Sequence, residues 1–415
     1  MKDAVKKAPT LPTLLIMSTA YIAVFSSVQG FKAMLPLIRD DFGISGAQAG
    51  LYSTFFYASG VALAIFSGRI VDGIGPRKGL IGGVLAIAIL MLLHTLSPYF
   101  FVLLLLALVT GVGFSIVTPS INKGIIELVD PNKRAVSNGI VHAGGGLGGI
   151  LGSSLLPLIG EHYSWRVSLL ASASIAFVMA VVLTKLFHPV NNNGEVESTE
   201  EKRSFKADFK SVLGNRLVIL VCVMGLVLGL SLGNMTIHYT LFLTGDLGFT
   251  PSVAGVSLSL FMLGGILGNP TIGFLNDRFF NSNRRYGLTI IGLMISSMFF
   301  IMAFFIFPAQ PPIGVVMVIT FVFGLFAFAV LGMVFTTLGD VVGAKLMGTA
   351  TGLLLVFMRS SMVFGPPVLG HFADVTGNYQ LSWTLVAIVV LAFSLFFFVK
   401  THKYRHLLRR GGFNG

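Results

Sequence analysis

Runs of about 20 apolar residues, broken by short segments of Gly, Asp, Lys and Arg, recur along nearly the whole chain. An apolar helix of that length crosses a hydrocarbon layer of about 30 Å. The pattern predicts twelve such helices, over residues 12–36, 47–67, 79–97, 101–121, 136–159, 166–187, 217–240, 253–273, 287–307, 313–336, 349–370 and 383–400. Between the sixth and the seventh, the stretch HPVNNNGEVESTEEKRSFKADFKSVLGN is polar and charged. It divides the chain into an N-terminal six-helix bundle over 1–187, a cytoplasmic linker over 188–215 and a C-terminal six-helix bundle over 216–415.

The two halves repeat one another. Sliding the second back by 205 positions superposes DFGISGAQAG, starting at Asp41, on DLGFTPSVAG, starting at Asp246, and carries Gly60, Gly68 and Asp72 onto Gly265, Gly273 and Asp277. An offset of 213 lays Glu127 on Asp340 and Gly139 on Gly352. The two tryptophans, Trp165 and Trp383, open the last span of each half, where indole anchors at the outer interface are expected. The same order in both halves argues for duplicated, pseudo-symmetric bundles and an all-α membrane fold.

Composition narrows the class. With 54% hydrophobic and 11% charged residues over 415 positions, the chain has too little polar surface to cover a water-soluble fold of its size. A net charge of +12 would suit a nucleic-acid partner, but the basic residues form no arm or stripe. They alternate by loop: Arg69, Arg77 and Lys78 follow span two, Lys123, Lys133 and Arg134 follow span four, and Lys202, Arg203, Lys206, Lys210 and Arg216 lie between the halves. Arg278, Arg284 and Arg285 follow span eight, whereas the opposite loops carry little beyond Arg39 and Arg166. The positive-inside rule then places both termini in the cytoplasm. The first run, behind Lys2, Lys6 and Lys7, is too long for a signal peptide and is taken as span one. The single cysteine, Cys222, leaves no intrachain disulfide.

The loop after span two reads GRIVDGIGPRK, from Gly68 to Lys78. It resembles the G-x-x-x-D-R-x-G-R-[RK] signature of the major facilitator superfamily of secondary transporters: Gly68, Asp72, Gly75, Arg77 and Lys78 match, and Gly73 stands where the signature has Arg. The second half keeps Gly273, Asp277 and Arg278 and then departs. The resemblance implies an alternating-access transporter in the inner membrane of a bacterium or archaeon, monomeric, with a small-molecule substrate and no cofactor. The motif residues would then gate, Asp72 and Arg77 pairing across the seam in one state and separating in the other, with Glu127, Arg134, Asp340 and Lys345 completing two charge clusters. Signatures of the drug antiporters are absent: Ala107 stands where span four would carry Arg, and span five reads HAGGGLGGILG with no proline.

Ionisable groups inside the membrane are costly and mark candidate sites. No Asp or Glu lies in the middle of a predicted span. Arg359 lies near the centre of span eleven, about ten residues or roughly 15 Å from either end, where its planar fork suits a carboxylate. The competing reading ties it to backbone carbonyls or to a partner helix. Lys32, in the outer half of span one, either contacts substrate or runs its stem to the interface. The repeat sets Gln29 opposite Asn234, one amide from each half at equal depth, while Lys32 and Arg359 fall opposite Ile237 and Gly146. His142 and His238 either couple protons or are packed and satisfied; Tyr21, Tyr57, Ser360 and Ser361 are candidate lining residues.

A cation in span eleven facing an amide-bearing cavity is similar to the oxalate/formate exchanger and monocarboxylate transporter branches, although span eight (SVAGVSLSLFMLGGILGNPTIG) lacks the basic residue those carriers hold. A monoanion is therefore expected rather than a dicarboxylate, with a co-transported proton riding on the substrate or His142. The alternative is efflux of an amphipathic drug or lipid by the same fold. An enzyme or receptor is not expected, since the sequence offers no Ser/His/Asp set, metal-ligand cluster or phosphate loop.

Overall fold

The computed structural model describes residues 11–63, 66–129, 133–187, 205–280, 283–404 and 408, so most of the expected linker, 188–204, lies outside the described residues. All regular structure among them is helical. The first half contains α1 (Leu11–Ala33), the short α2 (Leu35–Phe42), α3 (Gly46–Leu63), α4 (Phe66–Thr95), α5 (Phe100–Leu128), α6 (Arg134–His162) and α7 (Trp165–Leu186). The second contains the short α8 (Phe205–Gly214), α9 (Arg216–Gly245), α10 (Pro251–Phe279), α11 (Arg284–Ile301) with a π-helical turn leading into α12 (Phe307–Ala309), α13 (Ile313–Thr376) and α14 (Gln380–Lys400).

Helix ends follow the side chains that can satisfy them. Ser164 accepts a bond from Val167 N at the start of α7, Asn215 from Leu217 N at the start of α9, and Asn283 from Arg285 N at the start of α11. Two breaks inside long helices fall on glycines with positive φ, Gly75 in α4 (φ 81°) and Gly343 in α13 (φ 68°), a region that a side chain would strain. Gly343 splits α13 into the tenth and eleventh expected spans. Among the described residues eleven segments are long and apolar enough to cross a membrane; α3, where span two is expected, is described only to Leu63 and is not among them.

The chain forms two compact units. One comprises Met1–Ile44, Phe55–Val196 and Pro251–Ser259; the other comprises Ser45–Thr54, Glu197–Thr250 and Leu260–Gly415. In the first unit α1 packs chiefly on α6, and the glycine run explains how: a Cβ on Gly144, Gly148 or Gly152 would strike the backbone of Ser18, Ile22 or Ser26, so α1 and α6 meet backbone to backbone. In the second unit α9 packs chiefly on α13, and here the small residues sit on the other partner, Gly225, Gly229 and Gly233 of α9 facing Leu354, Met358 and Met362.

The tryptophans are not lipid-facing anchors. Trp165 is 3% exposed and donates to Asp41 Oδ2 at 3.0 Å, and Trp383 is fully buried against Phe242, Phe299 and Tyr379. Aromatic neighbours within each unit bury more of the indole than lipid contact would. Asp41 also pairs with Arg166 at 2.7 Å, whose guanidinium lies 4.3 Å from the Trp165 ring. Burial pushes the Asp41 carboxyl up, but the bonds from Trp165 and Arg166 and the Arg166 charge outweigh it and hold it below the usual carboxylate range. A carboxyl lowered on folding stabilises above its unfolded-state pKa, and that stabilisation is lost as pH falls through the folded one. Thermal midpoints of wild type and Asp41→Asn are therefore expected to differ at pH 6 and to converge as the solution is acidified into the carboxylate range; a gap independent of pH would contradict this.

Candidate functional site

In the first unit the site is built on one face of α1. Gln29 and Lys32 are three residues apart and so neighbours on the helix. Lys32 is 1% exposed, and its Nζ donates to Gln29 Oε1 and to Tyr57 Oη, each at 3.0 Å. The same Nζ lies 5.4 Å from the Phe56 ring centre and 4.9 Å from that of Tyr57, a cation–π setting. Its stem does not run to the interface; the ammonium folds onto neutral partners, and no carboxylate among the described residues is in ion-pair contact with it. An ammonium has three donors, and the two acceptors use two.

Two turns earlier on α1, Tyr21 meets Thr118 Oγ1 at 3.1 Å and packs edge-on against Phe25 and the His142 ring. His142 Nε2 lies 3.1 Å from Asn122 Oδ1, an acceptor, which fixes that nitrogen as the donor and leaves Nδ1 outside this bond. The structure thus joins Tyr21 to His142 and Lys32 to Gln29 and Tyr57. Sequence reading missed Phe56, Thr118 and Asn122, which are polar or aromatic residues on helices and carry no motif.

In the second unit Asn234 is buried and donates to Leu230 O at 2.7 Å, while its Oδ1 has no partner. His238 is packed and satisfied: Nε2 donates to Pro366 O at 2.7 Å and Nδ1 accepts from Tyr379 Oη at 3.1 Å. Arg359 is half-buried on α13. Its neighbour Ser360 lines, with Ser361, Leu230, Phe364 and Val368, an apolar cavity of about 440 Å³ whose lining does not include Arg359.

The basic-loop ends hold the expected charged residues in definite pairs. In the first unit Asp72 pairs with Lys123 at 3.0 Å, Arg77 donates to Thr184 O at 2.7 Å, and Arg134 closes the end of α5 by donating to Ile126 O and Val129 O. In the second, Arg284 bridges Asp277 at 3.1 Å and Asp340 at 3.4 Å, the positions that repeat Asp72 and Glu127. Lys123 and Arg284 were visible only as loop charges; their spacing from the acids along the chain hides the pairing. The Glu127 carboxyl feels the charges of both Lys123 and Asp72 and so belongs to the first cluster; among the described residues no bond of the Lys78 or Arg278 side chains adds to either cluster, and the side chain of Lys345 lies outside the described residues.

A polytopic helical protein with two repeat-related halves, a glycine break in the basic loop after span two and buried polar groups on its helices is of the secondary-transporter class. The Major Facilitator Superfamily profile matches residues 17–242 and 226–412, and the chain belongs to that family of membrane transporters. It is 29% identical over 267 residues to multidrug resistance protein MdtG of Salmonella arizonae, a match spanning 62% of this chain and 64% of that protein. It is 24% identical over 332 residues to monocarboxylate transporter 12 of Xenopus laevis, spanning 74% and 70%. The fold aligns with a bacterial homolog of the human lysosomal transporter Spinster at a TM-score of 0.72 and 17% identity, covering 99% of this chain and 98% of that one.

Proposed function

We propose that the chain carries a small organic monoanion, a monocarboxylate, by alternating access, with both termini in the cytoplasm. The observation that carries this reading is Lys32: a buried cation on a membrane helix, held by neutral acceptors and aromatic faces, is a charge awaiting an anion. Gln29 supplies an amide beside Lys32; in the second unit, taken by itself, Arg359 is a proposed substrate contact and the unpartnered Asn234 Oδ1 would accept a hydroxyl or a protonated carboxyl. The similarity to a monocarboxylate transporter fits this chemistry. His142 is the proposed proton-handling group, since His238 already has both nitrogens engaged. The charge pairs of Asp72 and Asp277 are the proposed cytoplasmic gate.

Efflux of an amphipathic compound is favoured by a different observation, the apolar cavity beside Ser360, and by the similarity to a multidrug resistance protein. Thermal stabilisation of purified wild type and Arg359→Ala against small carboxylates, sugars and cationic dyes separates the two. A carboxylate at about 100 times its Kd should stabilise wild type by about 2.7 kcal/mol and leave the variant unmoved. Dyes that stabilise both proteins equally, with no response to carboxylates, would reject the anion reading.

A further inference from the structure

Tyr21, Phe25, Gln29 and Lys32 follow one another at intervals of four, four and three residues, so they form one stripe along α1, about 16 Å long at the helical rise. The stripe is polar at both ends, with Lys32 and Gln29 at one and Tyr21, bonded to Thr118, at the other. Rings fill the stretch between. Tyr21 meets Phe25 at 4.6 Å between ring centres, Phe25 meets Phe114 of α5 at 5.3 Å, Phe114 meets Phe56 of α3 at 5.4 Å, and Phe56 meets Tyr57 at 5.0 Å. The series ends on the two rings that face the Lys32 ammonium. Side chains of a helix lean toward its N-terminus, and Lys32 leans back over Gln29, on the side of Phe25.

Helix packing alone does not require these rings. The second half carries Leu226, Leu230, Asn234 and Ile237 at the repeat positions of the same stripe, Met262 at that of Tyr57 and, at the second offset, Ala327 at that of Phe114. Phe56 keeps its ring, as Phe261. The rings also differ from a core cluster in how they are covered. In the second unit Phe299, Tyr379 and Trp383 are buried, and Trp383 stacks on the other two at interplanar angles of 20° and 28°. In the first unit Phe25, Phe114 and Tyr57 are each half-buried, and the four ring pairs meet tilted or edge-on, at 68°, 58°, 55° and 89°. Aromatic surface is therefore left uncovered beside a buried ammonium.

An ammonium is the charge partner of a carboxylate, and a flat ring meets other rings in the offset or edge-on arrangements that their quadrupoles favour. We propose, on the reading that Lys32 holds the anion, that the solute is an aromatic monocarboxylate: its carboxylate sits on Lys32, and a short linker carries one flat ring onto Phe25, Phe114 and Tyr57. Phe25 and Phe114 bear no charge, so they select the body of the solute while Lys32 selects its charge.

The test measures binding to purified protein by thermal stabilisation over concentration series of acetate, cyclohexylacetate and phenylacetate. Cyclohexylacetate should bind about thirtyfold more tightly than acetate, the scale of burying an apolar body of that size. Phenylacetate should bind about fivefold more tightly again, the scale of ring–ring contacts beyond buried area. Buried area by itself favours the cyclohexyl ring at least as much as the phenyl ring, so this second step reads aromaticity. Phe25→Leu and Phe114→Leu should each lower the ratio of phenylacetate to cyclohexylacetate affinity toward about one, and a ratio taken on one preparation is not moved by a general loss of stability. Phenylacetate binding no more tightly than cyclohexylacetate in wild type would overturn the aromatic assignment while leaving Lys32 an anion site, as would a ratio unchanged in both variants. Response to none of the three acids would overturn the anion reading and the aromatic assignment with it.

Discussion

Lys32→Met is expected to weaken carboxylate uptake by about a hundredfold in apparent affinity while the protein remains as stable as wild type or more so. Removing one partner of a buried, hydrogen-bonded charge pair costs roughly 2–5 kcal/mol of binding, and about 2.8 kcal/mol is a hundredfold. Stability moves the other way because the substrate-free protein keeps an ammonium out of water against Gln29, Tyr57, Phe56 and no acid. Desolvating a charge is expensive, and an apolar residue of similar length relieves that cost. Met brings a flexible, polarisable thioether to the aromatic rings of Phe56 and Tyr57 that the ammonium now faces. Uptake assays and thermal unfolding on the same preparations decide the matter: a large loss of stability with uptake per folded molecule unchanged would make Lys32 a structural residue and remove the centre of the anion reading.

The second large effect is on folding. Gly152→Val is expected to destabilise the first unit by at least about 3 kcal/mol, the upper end for overpacked cores, because its side chain would meet the Ser26 backbone on α1. A backbone obstacle cannot rotate away as a side chain can. Gly139→Ala lies on the same helix, with nothing within 4 Å of its new Cβ, and is expected to change stability by no more than about 1 kcal/mol. Comparing monodisperse yield and thermal midpoint of the two variants tests whether glycine in α6 serves close packing or only helix flexibility. Equal losses would favour flexibility.

Several features were legible from residue order because they depend on local chemistry. Apolar run length predicted the long helices but not the short α2 or α8, the latter inside the stretch read as linker, since a backbone in hydrocarbon must satisfy its own hydrogen bonds. The offsets of 205 and 213 exposed the repeat, and the loop from Gly68 to Lys78 identified the family. Arg359, Lys32, His142 and His238 stood out because ionisable groups are rare in such helices.

Pairing was decided in three dimensions. Asp72 meets Lys123 rather than its motif neighbour Arg77, and Arg284 gathers Asp277 and Asp340. His238 is committed to Pro366 and Tyr379, residues more than a hundred positions away. The tryptophans turn inward onto aromatic neighbours. Residue order by itself determined the membrane helices, the duplication and the family, because helix formation in lipid is a property of each segment alone. Only the tertiary structure decided which polar group is satisfied and which is left over, because those depend on side chains brought within about 3 Å by helices distant in the chain.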